Sequence, residues 1–157
     1  MIVLVMGVAG VGKTTLGEAL ARALGWRFLD ADDYHPPQNV AKMKAGIPLD
    51  DADRWPWLAR LNRELKDLDN AVLACSALKE SYRERLAQGI PQFTVVYLHA
   101  SAGLIRSRMA ARKHPYMPAA LLDSQLATLE PPASAIAIDV AGTAEDCVAE
   151  ILARLGR

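Results

Sequence analysis

Ile2-Val3-Leu4-Val5-Met6-Gly7-Val8-Ala9-Gly10-Val11-Gly12-Lys13-Thr14-Thr15 is an apolar run that passes directly into a glycine-rich loop ending in Lys and Thr. It fits the Walker A pattern of strand, loop, Lys and Thr, which implies that the chain binds a nucleoside triphosphate. Phosphate oxygens need several donors at once, and glycines let successive backbone N–H groups turn inward without a Cβ in the way. The helix behind the loop adds the positive end of its dipole. The pattern assigns the phosphates of ATP to Gly7, Val8, Ala9, Gly10, Val11, Gly12, Lys13, Thr14 and Thr15. Lys13 is placed to reach the β- and γ-phosphates, and the Thr14 hydroxyl offers Mg²⁺ a hard oxygen donor.

Outward from the loop, Leu16, Ala19, Leu20, Ala23 and Leu24 recur at helical spacing, and Gly25 is a suitable stop. Trp26–Leu29 then reads as a strand ending at Asp30, and Ala71–Cys75 and Thr94–Leu98 read as buried strands, with Ala135–Ile138 a weaker fifth. Between the second and third strands Leu58, Leu61, Leu65 and Leu68 mark a helix that the spacing enters through Pro56 in its first turn, preceded by a shorter helix near Val40–Ala45. Further helices are expected at Ser81–Gln88 and Leu104–Arg112, and a last one carries Val148, Ile151, Leu152 and Leu155. Thr143 and Asp146 form its capping box. Alternating strands and helices predict an α/β fold of three layers, a five-stranded parallel sheet covered on both faces, with ligands above the carboxyl ends of the strands. The loops that begin at Gly7, Asp30, Cys75, Leu98 and Asp139 then share one edge. Pro115, Pro118, Pro131 and Pro132 bracket a segment, approximately 112–132, that reads either as a lid over the nucleotide or as a rigid surface excursion.

The 157 residues suit one domain with a sizeable core, and 52% hydrophobic with 23% charged content reads as soluble and globular. Eighteen basic and eighteen acidic residues cancel, so no global field favours nucleic acid or an anionic membrane. The first apolar run is too short for a membrane span and lacks a basic flank, and Cys75 and Cys147 follow neither metal nor disulfide spacing. The expectation is a reduced, cytoplasmic protein with no membrane partner.

The third strand ends in Cys75-Ser76, where many nucleotide-binding folds place an acid that helps hold the metal. The second strand ends in Asp30-Ala31-Asp32-Asp33, and extended geometry would send Asp30 and Asp32 to the same side. The reading gives Asp30 to Mg²⁺ together with Thr14, and Asp32 to the acceptor hydroxyl. A solvated acidic turn, or a helix cap that suits Asp33, is the alternative. Arg106, Arg108, Arg112 and Lys113 gather near the end of the fifth helix, with Arg108 and Arg112 on one face. An Arg fork there would neutralise charge on a transferring phosphoryl group, with Arg112 the preferred catalytic candidate beside Lys13 and Asp32, although cations favour helix C-termini for dipole reasons too. A second constellation, Asp32, His35, Asn39, Lys42, Arg54, Lys79 and Arg83, suits a polyhydroxylated anion. Trp55, Trp57 and Tyr82 read as core, with an aromatic wall of the acceptor pocket as the lesser possibility.

Three long stretches resemble the gluconokinase family of small P-loop sugar-acid kinases. They are Phe28 to Met43, which contains Asp30-Ala31-Asp32-Asp33-Tyr34-His35-Pro36; Gly46 to Leu58; and Cys75 to Arg83. Leu121 to Glu130 is similar to the segment after that family's lid, whereas His114-Pro115-Tyr116 departs from its usual Gly-His-Phe. The resemblance implies a nucleoside-monophosphate-kinase-like P-loop NTPase fold, ATP-dependent phosphorylation of D-gluconate, often a homodimer, and Asp32, Arg54 and Arg83 facing the substrate. The rivals are a kinase of another small hydroxylated acid such as shikimate, a nucleoside monophosphate kinase, and a regulator that senses ATP without transferring phosphate.

Overall fold

The computed structural model describes residues 1–111 and 119–157. Strand β1 (Ile2–Met6) is buried on both faces, which is why it carries no polar alternation. The phosphate loop leads from it into α1 (Lys13–Leu24), which ends where the αL residue Gly25 returns its N–H to Arg22 at 3.2 Å. β2 (Arg27–Asp30) follows, then a single 3₁₀ turn (Ala31–Tyr34), α2 (Pro37–Lys44) and α3 (Asp51–Lys66). The rest of the chain forms β3 (Ala71–Ala74), α4 (Glu80–Ala87), β4 (Phe93–His99), α5 (Ala102–Ala111), α6 (Ala119–Thr128), β5 (Ile136–Asp139) and α7 (Ala144–Arg154).

The five strands pair in the order β2-β3-β1-β4-β5, all parallel. The predicted sheet is thus present, and its chain order reverses beside β1, where open α/β sheets bind ligands. Alternation along β1 divides the core in two. Val3 and Val5 face Leu16 and Leu20 of α1, Ile105 of α5, Leu122 of α6 and Ile151 of α7. Ile2, Leu4 and Met6 face Leu58, Leu61 and Leu65 of α3 and Leu86 of α4. The three layers follow directly.

Two expectations need correction. α3 begins at Asp51, five residues before Pro56, because Asp50 and Asp53 form a reciprocal capping box that supplies its N-terminus. Pro56 therefore lies inside the helix, past the first turn where its missing N–H would go unnoticed. At α7 the Thr143 hydroxyl accepts from the Asp146 N–H at 3.1 Å, which is one half of the expected box. The 112–132 segment contains α6, and Leu122 of that helix is fully buried in the core; His114-Pro115-Tyr116 lies outside the described residues. Among the described residues no helix is long and apolar enough to cross a membrane.

Candidate active site

The phosphate loop is shaped by contacts that admit only glycine at its tightest points. Gly10 has φ +86, and a Cβ on it would meet Met109 Cγ at 2.7 Å, so the loop closes against α5 through a missing side chain. Gly12, at φ +94, turns the chain into α1, whose first turn carries no acidic residue to oppose an anion. The Lys13 ammonium donates to Val8 O at 3.0 Å. Burial pulls its pKa down, while Cys75, Asp32 and Asp30 act in the opposite direction.

Asp30 lies at the C-terminal end of β2. Its Oδ2 accepts from the Thr14 hydroxyl at 3.2 Å, which brings together the two residues assigned to Mg²⁺. Its Oδ1 accepts from the Asp32 N–H at 3.0 Å and caps the 3₁₀ turn. The alternation expected of an extended Asp30–Asp32 pair is therefore absent, and the cap anticipated at Asp33 is Asp30 instead. Desolvation raises the Asp30 pKa. Asp32 behaves oppositely: its side chain is 82% exposed, and its carboxyl is held below the ordinary aspartate value, chiefly by His35. Among the described residues no group of three or more His, Cys, Asp or Glu gathers for a metal. Thr14 and Asp30 fit Mg²⁺, which usually takes one or two protein ligands and completes its shell with phosphate oxygens and water. Cys75, where an acid would otherwise close the third strand, is a buried thiol pushed up to about 12 by desolvation and offers no anionic ligand at neutral pH.

The turn carrying Asp32 is fixed from below. Trp57 of α3 donates its indole N–H to Ala31 O at 2.7 Å and stacks on His35, with centroids 4.1 Å apart and planes 18° from parallel. The Asn39 amide nitrogen donates to Asp53 O at 3.0 Å and lies 3.2 Å from His35 Nδ1. Because that nitrogen is a donor, Nδ1 accepts and Nε2 carries the proton toward Asp32 Oδ1, 3.7 Å away. Lys42 spends its charge on Asp53 at 2.8 Å and so supports this frame. Trp57 and Tyr82 are buried as expected, whereas Trp55 is 39% exposed, edge-on to Tyr82.

The other predicted acceptor residues form two groups. Arg54 and Lys79 converge on Asp51, at 3.9 and 3.5 Å, around the Tyr82 hydroxyl, which donates to the same carboxylate. They are a small cationic rim with Asp51 as internal counter-ion. Arg83 is buried, and its guanidinium donates to Ala77 O at 2.7 Å and Glu130 O at 2.8 Å. It ties down the turn in which Ala77 adopts φ +45, a conformation that costs a non-glycine residue about 1 kcal/mol or more.

On the other side of the phosphate loop a cavity of about 190 Å³ is lined by Gly12, Thr15, Arg108, Val140, Gly142 and Cys147, among others. It suits the nucleoside end of a bound nucleotide. Arg108 lines this cavity beside the loop, whereas Arg106 pairs with Asp123 at 2.5 Å and Arg112 lies outside the described residues. Sequence pointed to the loop after Ile138 by its position at the strand end, but not to Val140, Gly142 or Cys147, which have no motif. Gln125 was missed also, although its oxygen accepts from the Ala9 N–H at 2.6 Å.

A phosphate loop between a nucleoside cavity and a polar, cation-rimmed mouth defines a P-loop kinase. Residues 2–132 match the AAA domain family. The gluconokinase of Gluconobacter oxydans is 51% identical over 132 residues, covering 82% of this chain and 74% of that protein. The thermosensitive gluconokinase of Escherichia coli is 40% identical, covering 96% and 87%. A crystal structure of a gluconokinase from Sinorhizobium meliloti superposes with a TM-score of 0.91 at 45% identity, covering 99% of this chain and 91% of that one. The chain belongs to the gluconokinase family. A shikimate kinase from Bacteroides thetaiotaomicron, at 18% identity and TM-score 0.73, shares the fold alone.

Proposed function

We propose that the protein transfers the γ-phosphoryl group of Mg·ATP to D-gluconate, forming 6-phospho-D-gluconate and ADP. The observation that carries this reading is the gathering of Lys13, the Thr14–Asp30 pair and the exposed Asp32 at the phosphate loop, with Arg54 and Lys79 drawn together on Asp51, in a chain whose relatives are gluconokinases. The acceptor's primary hydroxyl forms the new P–O bond, the bond between the γ-phosphorus and the β,γ-bridging oxygen breaks, and the hydroxyl proton passes to the Asp32 carboxylate and from it to water. Asp32 accepts and orients that hydroxyl. With its pKa lowered it is a weak base, which suffices because a loose phosphoryl transition state needs alignment more than proton abstraction. The N–H groups of the Gly7 to Thr15 loop, apart from that of Ala9, which is bonded to Gln125, hold the phosphates, and Lys13 and Arg112 stabilise the charge in transfer. Mg²⁺, held by Thr14 and Asp30, supplies charge neutralisation at the phosphates.

Arg54 and Lys79 are the pair for the gluconate carboxylate, with Asp51 yielding its place to the ligand. His35 orients Asp32, Lys42 acts through Asp53, and Arg83 acts by shaping the β3–α4 turn. Residues 1–157 work as one kinase domain in a cytoplasmic homodimer; of the lid expected over 112–132, α6 is not a moving part, because its Leu122 is packed in the core. ADP release with Mg·ATP and a panel of D-gluconate, other aldonates, shikimate and nucleoside monophosphates tests the reading. Stimulation by D-gluconate is expected. ATP binding with no stimulation by any acceptor would favour an ATP-sensing regulator.

A further inference from the structure

The Val8–Ala9 peptide unit in the middle of the phosphate loop is held from both ends. Its N–H donates to Gln125 Oε1 of α6 at 2.6 Å, and its C=O accepts from Lys13 Nζ at 3.0 Å. The two groups of a trans peptide are rigidly antiparallel in one plane, so a partner that fixes the N–H also fixes the direction of the C=O. We propose that Gln125 is a positioning residue for Lys13, setting the Val8 carbonyl, and with it the ammonium, from a helix 116 residues away in sequence.

Gln125 stands on a fixed base. Leu122, one turn earlier, is fully buried. Five residues later Glu130 bonds Leu78 O through its N–H at 2.8 Å and accepts the Glu80 N–H at 3.0 Å. The same stretch of chain thus grips the phosphate loop through Gln125 and the acceptor-side turn through Glu130. A neutral amide suits the position, because it supplies an acceptor without adding negative charge beside the phosphates. Hydrogen bonding at the N–H also polarises the amide and makes the Val8 carbonyl a better acceptor for Lys13.

The test compares Gln125→Met, which fills the space without an acceptor, with Gln125→Glu, which keeps an oxygen at the same reach. Ala9 amide hydrogen exchange in the free protein should quicken about tenfold in Gln125→Met and stay slow in Gln125→Glu. In gluconate-dependent ADP release, Gln125→Met should lose about tenfold in kcat, with KM for gluconate changed less than about twofold. Gln125→Glu should recover most of kcat and raise KM for Mg·ATP, since its charge faces a polyphosphate. Wild-type kcat in Gln125→Met, or equal kcat losses in both variants with falling melting temperatures, would overturn the proposal. Gln125→Ala replaces the Met variant should that not fold. The activity arm rests on the kinase reading. If the wild-type protein shows no gluconate-dependent turnover, that reading fails, and Ala9 exchange with acceptor-independent ATP hydrolysis decides the role of Gln125.

Discussion

Replacing Trp57 by Phe separates the frame beneath Asp32 from the chemistry at it. The indole N–H is bonded to Ala31 O at 2.7 Å, and Ala31 is 1% exposed, so the substitution strands a buried carbonyl. That alone costs about 1–3 kcal/mol. The smaller ring also loses part of its stack on His35, worth roughly 0.5–1 kcal/mol. A loss of about 2–4 kcal/mol should lower the melting temperature by roughly 5–15 °C in a chain of this size. Because Ala31 begins the turn that carries Asp32, and His35 is the group that Trp57 stacks on, kcat should fall about tenfold as well. Trp55→Phe is the control: this ring is 39% exposed, and its loss should move stability by less than about 0.5 kcal/mol. Differential scanning calorimetry and coupled ADP release read both quantities. A Trp57→Phe protein that melts within 1 °C or so of wild type, with unchanged turnover, would refute the argument that the indole bond holds the turn.

Asp32→Asn should reduce kcat by about a hundredfold or more while ATP affinity, read by calorimetric titration, stays within about twofold; equal loss of both would remove Asp32 from the acceptor side. Asp30 has a raised pKa, so the carboxylate that would bind Mg²⁺ is lost on acidification sooner than an ordinary aspartate would be, and the apparent Mg²⁺ requirement should climb from a higher pH than an unshifted aspartate would give. A requirement that does not change on acidification through the aspartate range would contradict the assignment. Asp53 has the opposite sign: Lys42 lowers its folded-state pKa, so its stabilisation is present above the unfolded value and disappears as pH falls through the folded one. Lys42→Met should therefore weaken the acid dependence of the melting temperature, and an unchanged profile would show the pair to be inert. Leu61→Ala, in the fully buried row of α3, should cost about 2–5 kcal/mol, measured by urea unfolding.

The sheet was legible in the chain because buried parallel strands need apolar residues on both faces, and Ile2–Met6 and Ala71–Ala74 have them. The phosphate loop was legible because its donors come from consecutive backbone groups, so sequence order is already spatial order. Local capping chemistry overruled one reading: Asp50 and Asp53 start α3 well before Pro56. At the second strand, the Asp30 cap converted an expected extended pair into a turn, and the two carboxylates shift in opposite directions, Asp30 up through desolvation and Asp32 down chiefly through His35. The tertiary structure alone determined which cations are spent on backbone carbonyls and which stand in the cluster on Asp51. Arg83 and Lys79 stand four residues apart on one short stretch, yet one is spent on the backbone carbonyls of Ala77 and Glu130 and the other remains at the rim. It alone brought Gln125 to Ala9 and assembled the cavity beside the phosphate loop from residues as distant as Gly10 and Cys147. Such contacts depend on packing between segments distant in the chain, whereas residue type and spacing report only on neighbours along it.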